Sequence, residues 1–366
     1  MGGAETMTHY LLAGGGTAGH VNPLLAVADR IRDREPDAVI SVLGTSEGLE
    51  SRLVPERGYE LVVVTRLPFP RRPNAAALRF PREFGALVTS IRDIIRERGI
   101  DIVVGFGGYV SAPAYLAARR EQIPLVVHEA NAKPGMANRL GSLLSKHVGV
   151  AFRSTRLPHA RFVGMPLRRE IERLDRRATR REAFDYFGLD TRKPTLLVTG
   201  GSQGAKHLNE TVFEAAPLIL GAGWQILHIA GERSELRDSG FPDYHLLAYC
   251  DRMDLAFAAT DLAVTRAGSA TVSELTALGV PAVYVPLAFG NGEQKLNASD
   301  AVRSGAALMV DNALFTAEWV ETDLVPVLEN RAFLAEMSAR GLAIGVLDGA
   351  DRTVELVMDA VRSPVN

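Results

Sequence analysis

Three glycine-rich turns are the segments of this sequence best suited to bind phosphate oxygens. They occupy residues 14–19 (Gly-Gly-Gly-Thr-Ala-Gly), 105–113 (Gly-Phe-Gly-Gly-Tyr-Val-Ser-Ala-Pro) and 200–204 (Gly-Gly-Ser-Gln-Gly). Each turn follows a short apolar run and precedes a helical pattern, so its N–H groups and a helix N-terminus would face an anion. A single turn of this kind is better explained by close helix–strand packing. Three of them favour phosphate recognition.

Residues 266–274 (Arg-Ala-Gly-Ser-Ala-Thr-Val-Ser-Glu) have the features of a helix start that could hold a diphosphate. The N–H groups that follow Gly268 would lack intrahelical partners and would carry partial positive charge. Glu274 could accept hydrogen bonds from ribose hydroxyls, and the polar segment with Gln294 and Asn297 suits a sugar. The alternative for Glu274 is an exposed position on an ordinary capped helix.

His20, directly after the first turn, is the first candidate for acid–base chemistry. Imidazole titrates near neutral pH and can take a proton from a substrate hydroxyl. Glu129 is the second candidate base. The alternative for His20 is a hydrogen bond to a phosphate or a loop cap.

The first turn also matches the dinucleotide-binding pattern through Gly14, Gly16 and Gly19. A dinucleotide site needs an acidic residue near the end of the second strand to hold the ribose. Here that strand ends without one, and Glu47 comes only after the following turn. The sequence therefore disfavours a dehydrogenase.

Composition excludes several other classes of protein. The chain has 366 residues, of which 47% are apolar and 23% charged, as expected for a soluble globular protein of two domains. The single cysteine, Cys250, rules out a disulfide framework and a Cys-based metal site. The sequence has no Asp-x-Asp and its eight histidines lack ligand spacing, so neither a metal nor another cofactor is expected. A net charge of −2 argues against nucleic acid as a partner.

The elements that position these residues occur twice along the chain, in two segments with the same sequence pattern. Residues 10–13 and 195–199 are apolar runs, and each leads through a glycine turn into a helix, like the opening of a Rossmann-like domain. Further apolar runs predict buried parallel strands at residues 39–43, 61–64, 102–104, 125–127, 225–229, 262–265 and 282–285, with helices at 84–98 and 112–119 between them. The sequence therefore predicts an α/β fold of two Rossmann-like domains with parallel sheets facing a central cleft.

The predicted domain organisation has four parts. Residues 1–164 form an N-terminal Rossmann-like domain, and residues 165–193, rich in arginine, form a charged linker. Residues 194–345 form a C-terminal domain that binds a nucleotide sugar, and residues 346–366 form a closing helix.

Charge is distributed unevenly between the two halves. Residues 1–165 carry a net charge of +6 and residues 166–366 a net charge of −8. Within the basic half, residues 66–82 combine arginine with bulky apolar side chains and lack acidic residues, which suits a surface on anionic lipid. Its members are Arg66, Leu67, Phe69, Arg71, Arg72, Leu78, Arg79, Phe80 and Arg82. Four prolines argue against one long helix here, and the alternative is a solvated loop packed on its own domain.

Together these segments resemble the peptidoglycan N-acetylglucosaminyltransferases of the MurG family. The three turns, residues 128–131 (His-Glu-Ala-Asn) and residues 266–274 occur in the family's order, from residue 9 to about 310. The resemblance implies the GT-B fold and an inverting transfer of N-acetylglucosamine from UDP-N-acetylglucosamine to the C4 hydroxyl of the muramyl sugar of undecaprenyl-linked lipid I. It also implies a peripheral protein at the cytoplasmic face of the cell membrane, with wall-synthesis and division proteins as further partners.

The resemblance assigns roles residue by residue. Donor contacts fall on Thr17, Ala18, Gly19, Asn131, Arg168, Ser202, Cys250, Ser269, Ala270, Thr271, Val272, Ser273, Glu274 and Gln294. Acceptor contacts fall on Gly16, Gly107, Gly108, Tyr109 and Ser111. The chain has Ala18 where many members have glycine, and Glu293 where many have glutamine. The alternatives are another GT-B enzyme, such as a natural-product glycosyltransferase or a UDP-N-acetylglucosamine 2-epimerase, and a non-catalytic membrane scaffold of wall synthesis.

Overall fold

The computed structural model describes residues 7–70, 75–201, 204–236, 239–287 and 292–363, and the chain divides into two compact units. Unit 1 comprises Met1–Arg168 and Asp348–Asn366, and unit 2 comprises Arg169–Leu347. Each unit is an α/β domain built on one parallel sheet. This confirms the predicted fold class of two Rossmann-like domains.

In the described part of unit 1, seven parallel strands form a sheet in the order β3-β2-β1-β4-β5-β6-β7. The strands are β1 (His9–Gly14), β2 (Val39–Gly44), β3 (Glu60–Val63), β4 (Ile102–Gly107), β5 (Leu125–Glu129), β6 (His147–Val150) and β7 (Ala160–Phe162). The helices before the boundary are α1 (Ala18–Arg34), α2 (Glu50–Glu56), α3 (Ala75–Glu97), α4 (Ser111–Glu121) and α5 (Met136–Leu144). Strands such as β1 are apolar on both faces because helices cover both sides of the sheet.

Unit 2 repeats this topology, with described strands in the order β10-β9-β8-β11-β12-β13. They are β8 (Thr195–Thr199), β9 (Gln225–Ile229), β10 (Tyr244–Leu247), β11 (Leu262–Thr265), β12 (Ala282–Tyr284) and β13 (Ala307–Met309). The helices are α6 (Arg169–Glu172), α7 (Arg176–Phe187), α8 (Lys206–Glu214), α9 (Ala216–Gly221), α10 (Met253–Ala259), α11 (Ser269–Ala277), α12 (Glu293–Arg303), α13 (Ala317–Trp319), α14 (Val325–Glu329) and α15 (Arg331–Ile344), with a π-helical turn at Val320–Leu324.

The charged segment at residues 165–193 does not form a separate linker in the structure. From Arg169 onward it belongs to unit 2, where Phe184 of α7 is buried against Leu255 and Ala258 of α10. The arginines occupy the remaining faces of α7. Because they are so numerous, the small apolar face that packs on α10 is not evident from the sequence. The last helix, α16 (Gly349–Arg362), belongs to unit 1, where Val354 and Val357 join the core beside α1.

Helix α3 begins earlier than predicted and contains Pro81. The expectation that prolines prevent a long helix here is therefore wrong for residues 75–82. Pro81 removes one backbone hydrogen bond, at a cost of roughly 3 kcal/mol. The second half of the helix offsets this cost by burying Leu87, Val88 and Ile91.

In both units the strand order reverses next to the first strand. Chain connections run to one side from β1 and to the other from β4, and β8 and β11 have the same relation in unit 2. Open parallel sheets bind ligands at such a switch point, beyond the carboxyl ends of the strands. The turns singled out by sequence lie at these two points. Short strands β6, β7, β10 and β13 lie toward the sheet edges and were not predicted.

Candidate functional site

The switch point of unit 2 is an open crevice of about 650 Å³. The turn after β8 forms one wall and the turn after β11 the other, and Leu287 and Asn312 complete it. Its charged lining includes Lys206, Arg266 and Glu210. A crevice of this size and polarity suits a nucleotide diphosphate.

The N-terminus of α11 opens into this crevice. Gly268 is the N-cap residue in extended conformation, so Ser269, Ala270 and Thr271 provide the first-turn N–H groups that have no intrahelical acceptor. The Val272 N–H is already bonded to the Gly268 carbonyl (2.9 Å), and the Val272 side chain is in the core. The expected donor contact of Val272 is therefore not supported by its position.

Arg266 provides a fixed cation on the crevice wall. Its Nη1 donates to the Val285 carbonyl (2.8 Å) and to Oδ1 of Asn312 (2.7 Å). Its Nε is buried without a hydrogen-bond partner among the described residues. Burial lowers the pKa of Arg266 from its usual value, but a guanidinium remains charged at neutral pH. Sequence reasoning placed Arg266 in the donor segment but assigned it no contact.

The turn after β8 requires glycine. Gly204 has a positive φ of 76°, and a Cβ there would lie 2.4 Å from the Ala230 carbonyl oxygen. The turn leads into α8, whose first residue is Lys206. Lys206 is exposed, and among the described residues it forms one long ion pair, with Glu210 at 3.8 Å. Its ammonium group is therefore available to an anion in the crevice.

The remaining predicted donor residues of unit 2 lie around α11 and α12. Gln294 lines the crevice, and its Oε1 accepts a hydrogen bond from the Leu287 N–H (2.8 Å). Glu274 is largely buried, so the alternative of an exposed residue is wrong. Cys250 is buried, and burial raises the pKa of its thiol to about 11, which keeps it neutral. Ser273 lies further along α11, half-buried.

In unit 1 the two glycine turns pack together and leave a small cavity of about 70 Å³ at the switch point. Gly108 has a φ of 90°, and a Cβ there would lie 2.6 Å from the Gly15 carbonyl oxygen. Backbone therefore packs directly on backbone where unit 2 has a crevice. Nearby, a Cβ on Gly105 would lie 2.0 Å from the Tyr115 ring, so that glycine is explained by packing.

Glu50 is a residue of this site that sequence reasoning missed. It is 1% exposed, and its carboxylate accepts hydrogen bonds from the Gly16 N–H (2.8 Å), the Thr45 N–H (3.0 Å) and the Thr45 hydroxyl (2.8 Å). Burial raises the pKa of Glu50, but these hydrogen bonds outweigh burial and hold the pKa below its usual value. The Glu50 carboxylate thus already accepts the hydrogen bond that the Gly16 N–H would otherwise donate to a ligand. In the sequence, Glu50 is marked only as an acidic residue three positions after Glu47, which is a weak indication of this role.

His20 lies in the first turn of α1, against the second glycine turn. Its Nδ1 is 3.2 Å from the Gly15 carbonyl oxygen and 3.2 Å from Oγ1 of Thr17. Because a carbonyl only accepts hydrogen bonds, we assign the proton to Nδ1, which leaves Nε2 as the acceptor that a general base requires. A Cβ on Gly107 would lie 3.2 Å from Nε2, so the imidazole lies beside that glycine. The other first-turn residues, Ala18 and Gly19, are exposed or half-buried.

Glu129, the second candidate base, braces a loop. It is 2% exposed, and its carboxylate accepts hydrogen bonds from the N–H groups of Asn131 (2.8 Å) and Gly135 (2.9 Å) and from Nδ2 of Asn138 (3.0 Å). Tyr115 donates to Oδ1 of Asn138 (2.7 Å) and completes the network. These bonds occupy the carboxylate, so the geometry favours a role in positioning Asn131 over proton transfer.

Two predicted acceptor residues differ in accessibility. Tyr109 is 41% exposed, with the Arg66 guanidinium 5.6 Å from its ring centre. Ser111 is fully buried, with Oγ 2.7 Å from the Gly107 carbonyl oxygen and 3.0 Å from that of Ala13. Ser111 therefore ties the second glycine turn to the end of β1, and its position does not support a contact with ligand.

The basic and apolar segment at residues 66–82 is less uniform than its sequence. Leu67 packs on the edge of the core, whereas Leu78 is 86% and Phe69 55% exposed. Phe80 is half-buried, and its ring lies 5.3 Å from that of Phe69. Acidic residues outside the segment pair with two of its arginines, Glu47 with Arg66 (2.8 Å) and Glu83 with Arg79 (3.9 Å), and Arg82 is exposed.

Some predicted site residues lie outside the described part of the chain. These are Arg71, Arg72 and Ser202. Arg168 is the last residue of unit 1 before the boundary and interacts with other residues of the chain. Among the described residues, no cluster of His, Cys, Asp or Glu could hold a metal ion, and no helix has the length and apolarity to span a bilayer.

Comparison with known proteins agrees with this architecture. Residues 10–150 match the glycosyltransferase family 28 N-terminal domain, and residues 195–353 match the C-terminal domain of that family. A relative from Leifsonia xyli is 61% identical over 351 residues, which cover 96% of this chain and 98% of the relative. The relative is a UDP-N-acetylglucosamine–N-acetylmuramyl-(pentapeptide) pyrophosphoryl-undecaprenol N-acetylglucosamine transferase. This chain belongs to the MurG family of glycosyltransferases.

Solved structures support the same assignment. The crystal structure of MurG from Acinetobacter baumannii has a TM-score of 0.81 and 28% sequence identity, with 96% of this chain and 99% of that chain covered. The glycosyltransferase of kitacinnamycin has a TM-score of 0.71 at 18% identity, covering 96% and 99%, which is a likeness of fold alone. The family resemblance and the GT-B fold are thereby confirmed, and the chain is a glycosyltransferase.

Proposed function

We propose that this MurG-family enzyme transfers N-acetylglucosamine from UDP-N-acetylglucosamine to the C4 hydroxyl of the muramyl sugar of lipid I, with inversion. The observation that carries the proposal is the 61% identity to a transferase of that name over nearly the whole of both chains. The open crevice of unit 2 supports it with a site of suitable size for the donor. No comparable support favours a 2-epimerase or a scaffold.

In this proposal the donor diphosphate binds at the N-terminus of α11. The first-turn N–H groups of Ser269, Ala270 and Thr271, together with Arg266 and Lys206, stabilise the negative charge that develops on the leaving UDP. Glu274 and Gln294 bind ribose and sugar hydroxyls.

His20 acts as the general base. Its Nε2 removes the proton from the C4 hydroxyl of the acceptor as the oxygen attacks the anomeric carbon, and UDP leaves from the opposite face. The Gly15 carbonyl holds the imidazole in the tautomer with Nε2 unprotonated. Asn131, positioned by Glu129, contacts the donor sugar.

The test is transfer of radiolabelled N-acetylglucosamine to a lipid I analogue in the presence of EDTA. Label in the lipid product is expected, because amides and cations take the role that a metal would have at the diphosphate. Tight binding of UDP-N-acetylglucosamine without transfer would contradict the acceptor assignment. The absence of both binding and transfer would favour a scaffold.

We further propose that unit 1 docks on anionic membrane at the cytoplasmic face through the exposed part of residues 66–82. Exposed Phe69, Leu78 and Arg82 combine apolar insertion with positive charge, worth roughly 1 kcal/mol for each basic residue near the surface. Docking would bring the enzyme to its lipid-linked acceptor and to wall-synthesis and division proteins.

Vesicle sedimentation checks the docking surface. Leu78→Glu should reduce binding to vesicles that contain anionic lipid, whereas Leu314→Glu should not, because Leu314 is a comparably exposed leucine (64%) of unit 2. Binding that ignores anionic lipid content, or an equal loss in both variants, would refute docking through this segment.

A further inference from the structure

A basic groove of about 600 Å³ lies along the connection between β6 and β7 in unit 1. Its lining includes Val150, Arg153, Thr155, Arg156 and Phe162. The connection and β7 contain no acidic residue. None of these residues has a role in the donor crevice or at the glycine turns.

The two arginines of the groove are free to bind an anion. Arg153 and Arg156 are exposed, and neither has a carboxylate partner in the part of the chain that the structure describes. The guanidinium of Arg153 lies 4.0 Å from the ring centre of Phe162, a cation–π contact that restricts its position. By contrast, Arg161 on β7 has an acidic neighbour, Asp359, at 3.6 Å.

The groove is joined to the candidate site of unit 1. Thr155 is buried, and its hydroxyl donates a hydrogen bond to the Asn131 carbonyl oxygen (3.2 Å). Glu129 accepts a hydrogen bond from the N–H of the same residue (2.8 Å). The groove thus adjoins the loop of Asn131, where the proposed function places the donor sugar, and an acceptor positioned to attack that sugar can extend its peptide toward the groove.

We infer that Arg153 and Arg156 bind a carboxylate of the peptide carried by the acceptor. This inference rests on the proposed function, in which the acceptor is an N-acetylmuramyl-(pentapeptide) lipid. A pentapeptide ends in a carboxylate, and guanidinium groups bind carboxylates through paired, charge-assisted hydrogen bonds. The groove is thus a specificity site for the acceptor, separate from the residues that carry out transfer.

Steady-state kinetics with two acceptor analogues tests this inference. One analogue carries the pentapeptide, and the other lacks it and has its lactyl group capped as the amide. The double variant Arg153→Ala/Arg156→Ala should raise the KM for the peptide-bearing analogue about tenfold, equivalent to about 1.4 kcal/mol. The kcat, the KM for the donor and the KM for the peptide-free analogue should stay unchanged. Arg161→Ala is the matched control, for which every constant should stay near the wild-type value.

The other outcomes overturn the inference in distinguishable ways. An equal rise in KM for both analogues would place the arginines at the acceptor's diphosphate or sugar. If the double variant loses binding to anionic vesicles while its kinetic constants for both acceptor analogues stay unchanged, the groove is a lipid-headgroup site. No change in any constant would refute a ligand role. If the wild-type enzyme transfers no sugar to either analogue, the proposed function itself fails.

Discussion

The two units share one topology but use its switch point differently. In unit 2 the turns after β8 and β11 stand apart and leave a crevice of about 650 Å³ with Arg266 and Lys206 in its walls. In unit 1 the turns after β1 and β4 meet, and a Cβ on Gly108 would lie 2.6 Å from the Gly15 carbonyl oxygen. The carboxylate of Glu50 already accepts the Gly16 N–H there. A glycine turn after a strand is thus a shared structural device. In unit 1 an internal carboxylate accepts one of its N–H groups, whereas in unit 2 the crevice leaves room for an anion.

Unit 1 keeps instead a histidine whose orientation is fixed by the turn. If unit 1 contributes the base and unit 2 the donor site, replacing the base should leave donor binding intact. His20→Ala should lower kcat by about 10²–10⁴-fold while the KM for the donor stays close to wild type. A kcat within twofold of wild type would remove His20 from the mechanism. A raised donor KM with normal kcat would assign His20 to phosphate binding.

The closed switch point of unit 1 can be tested with two glycines of similar backbone conformation. Gly108 and Gly16 have φ values of 90° and 87°, but a Cβ on Gly16 would have no neighbour within 4 Å. Gly16→Ala should lower the free energy of unfolding by about 1–2 kcal/mol through left-handed strain alone. Gly108→Ala should cost about 2–5 kcal/mol because overpacking adds to the strain. Urea unfolding measures both, and equal losses would show that the turns do not pack as described.

The Glu50 carboxylate makes the stability of unit 1 depend on pH, and the neutral variant Glu50→Gln should lack this dependence. Because the folded-state pKa of Glu50 lies below the unfolded value, its contribution is present above about pH 4.3 and is lost as the pH falls through the folded-state value. At pH 7, Glu50→Gln should lower the free energy of unfolding by about 1–3 kcal/mol.

Urea unfolding at pH 7 and pH 4 checks this prediction. The difference between wild type and Glu50→Gln should shrink at the lower pH. Glu56→Gln, at an exposed position of the same helix, should change stability little at either pH. A difference that is the same at both pH values would argue that Glu50 does not act as a carboxylate.

The sequence allowed prediction of the features that depend on local pattern. The strands Gln225–Ile229 and Leu262–Thr265 have the predicted bounds, and α11 begins at Ser269, directly after Gly268 as predicted. The apolar runs are long enough to identify buried strands, and a glycine before a helix identifies its start.

Features that depend on distant partners could not be predicted in the same way. Glu50 lies 34 residues from Gly16, and nothing in the local sequence shows that its carboxylate faces inward. Pro81 is tolerated because the far end of α3 is buried, which the local sequence also conceals. Ser111 and Glu129 have residue types typical of ligand contacts, but the fold uses their hydrogen bonds to hold loops.

The proposed mechanism requires that the nucleotide diphosphate binds in the crevice of unit 2. To test this, a carboxylate like that of Glu50 in unit 1 is placed at the corresponding turn of unit 2. Thr271→Glu adds a negative charge in the first turn of α11, where an acidic residue is compatible with the helix. Thr271→Gln is the neutral control of the same size.

Titration calorimetry with UDP-N-acetylglucosamine then compares the two variants with the wild-type enzyme. Thr271→Glu should weaken binding by about 100-fold or more and Thr271→Gln by less than about tenfold, and neither should lower the Tm. Equal affinities for all three proteins would show that the diphosphate binds elsewhere.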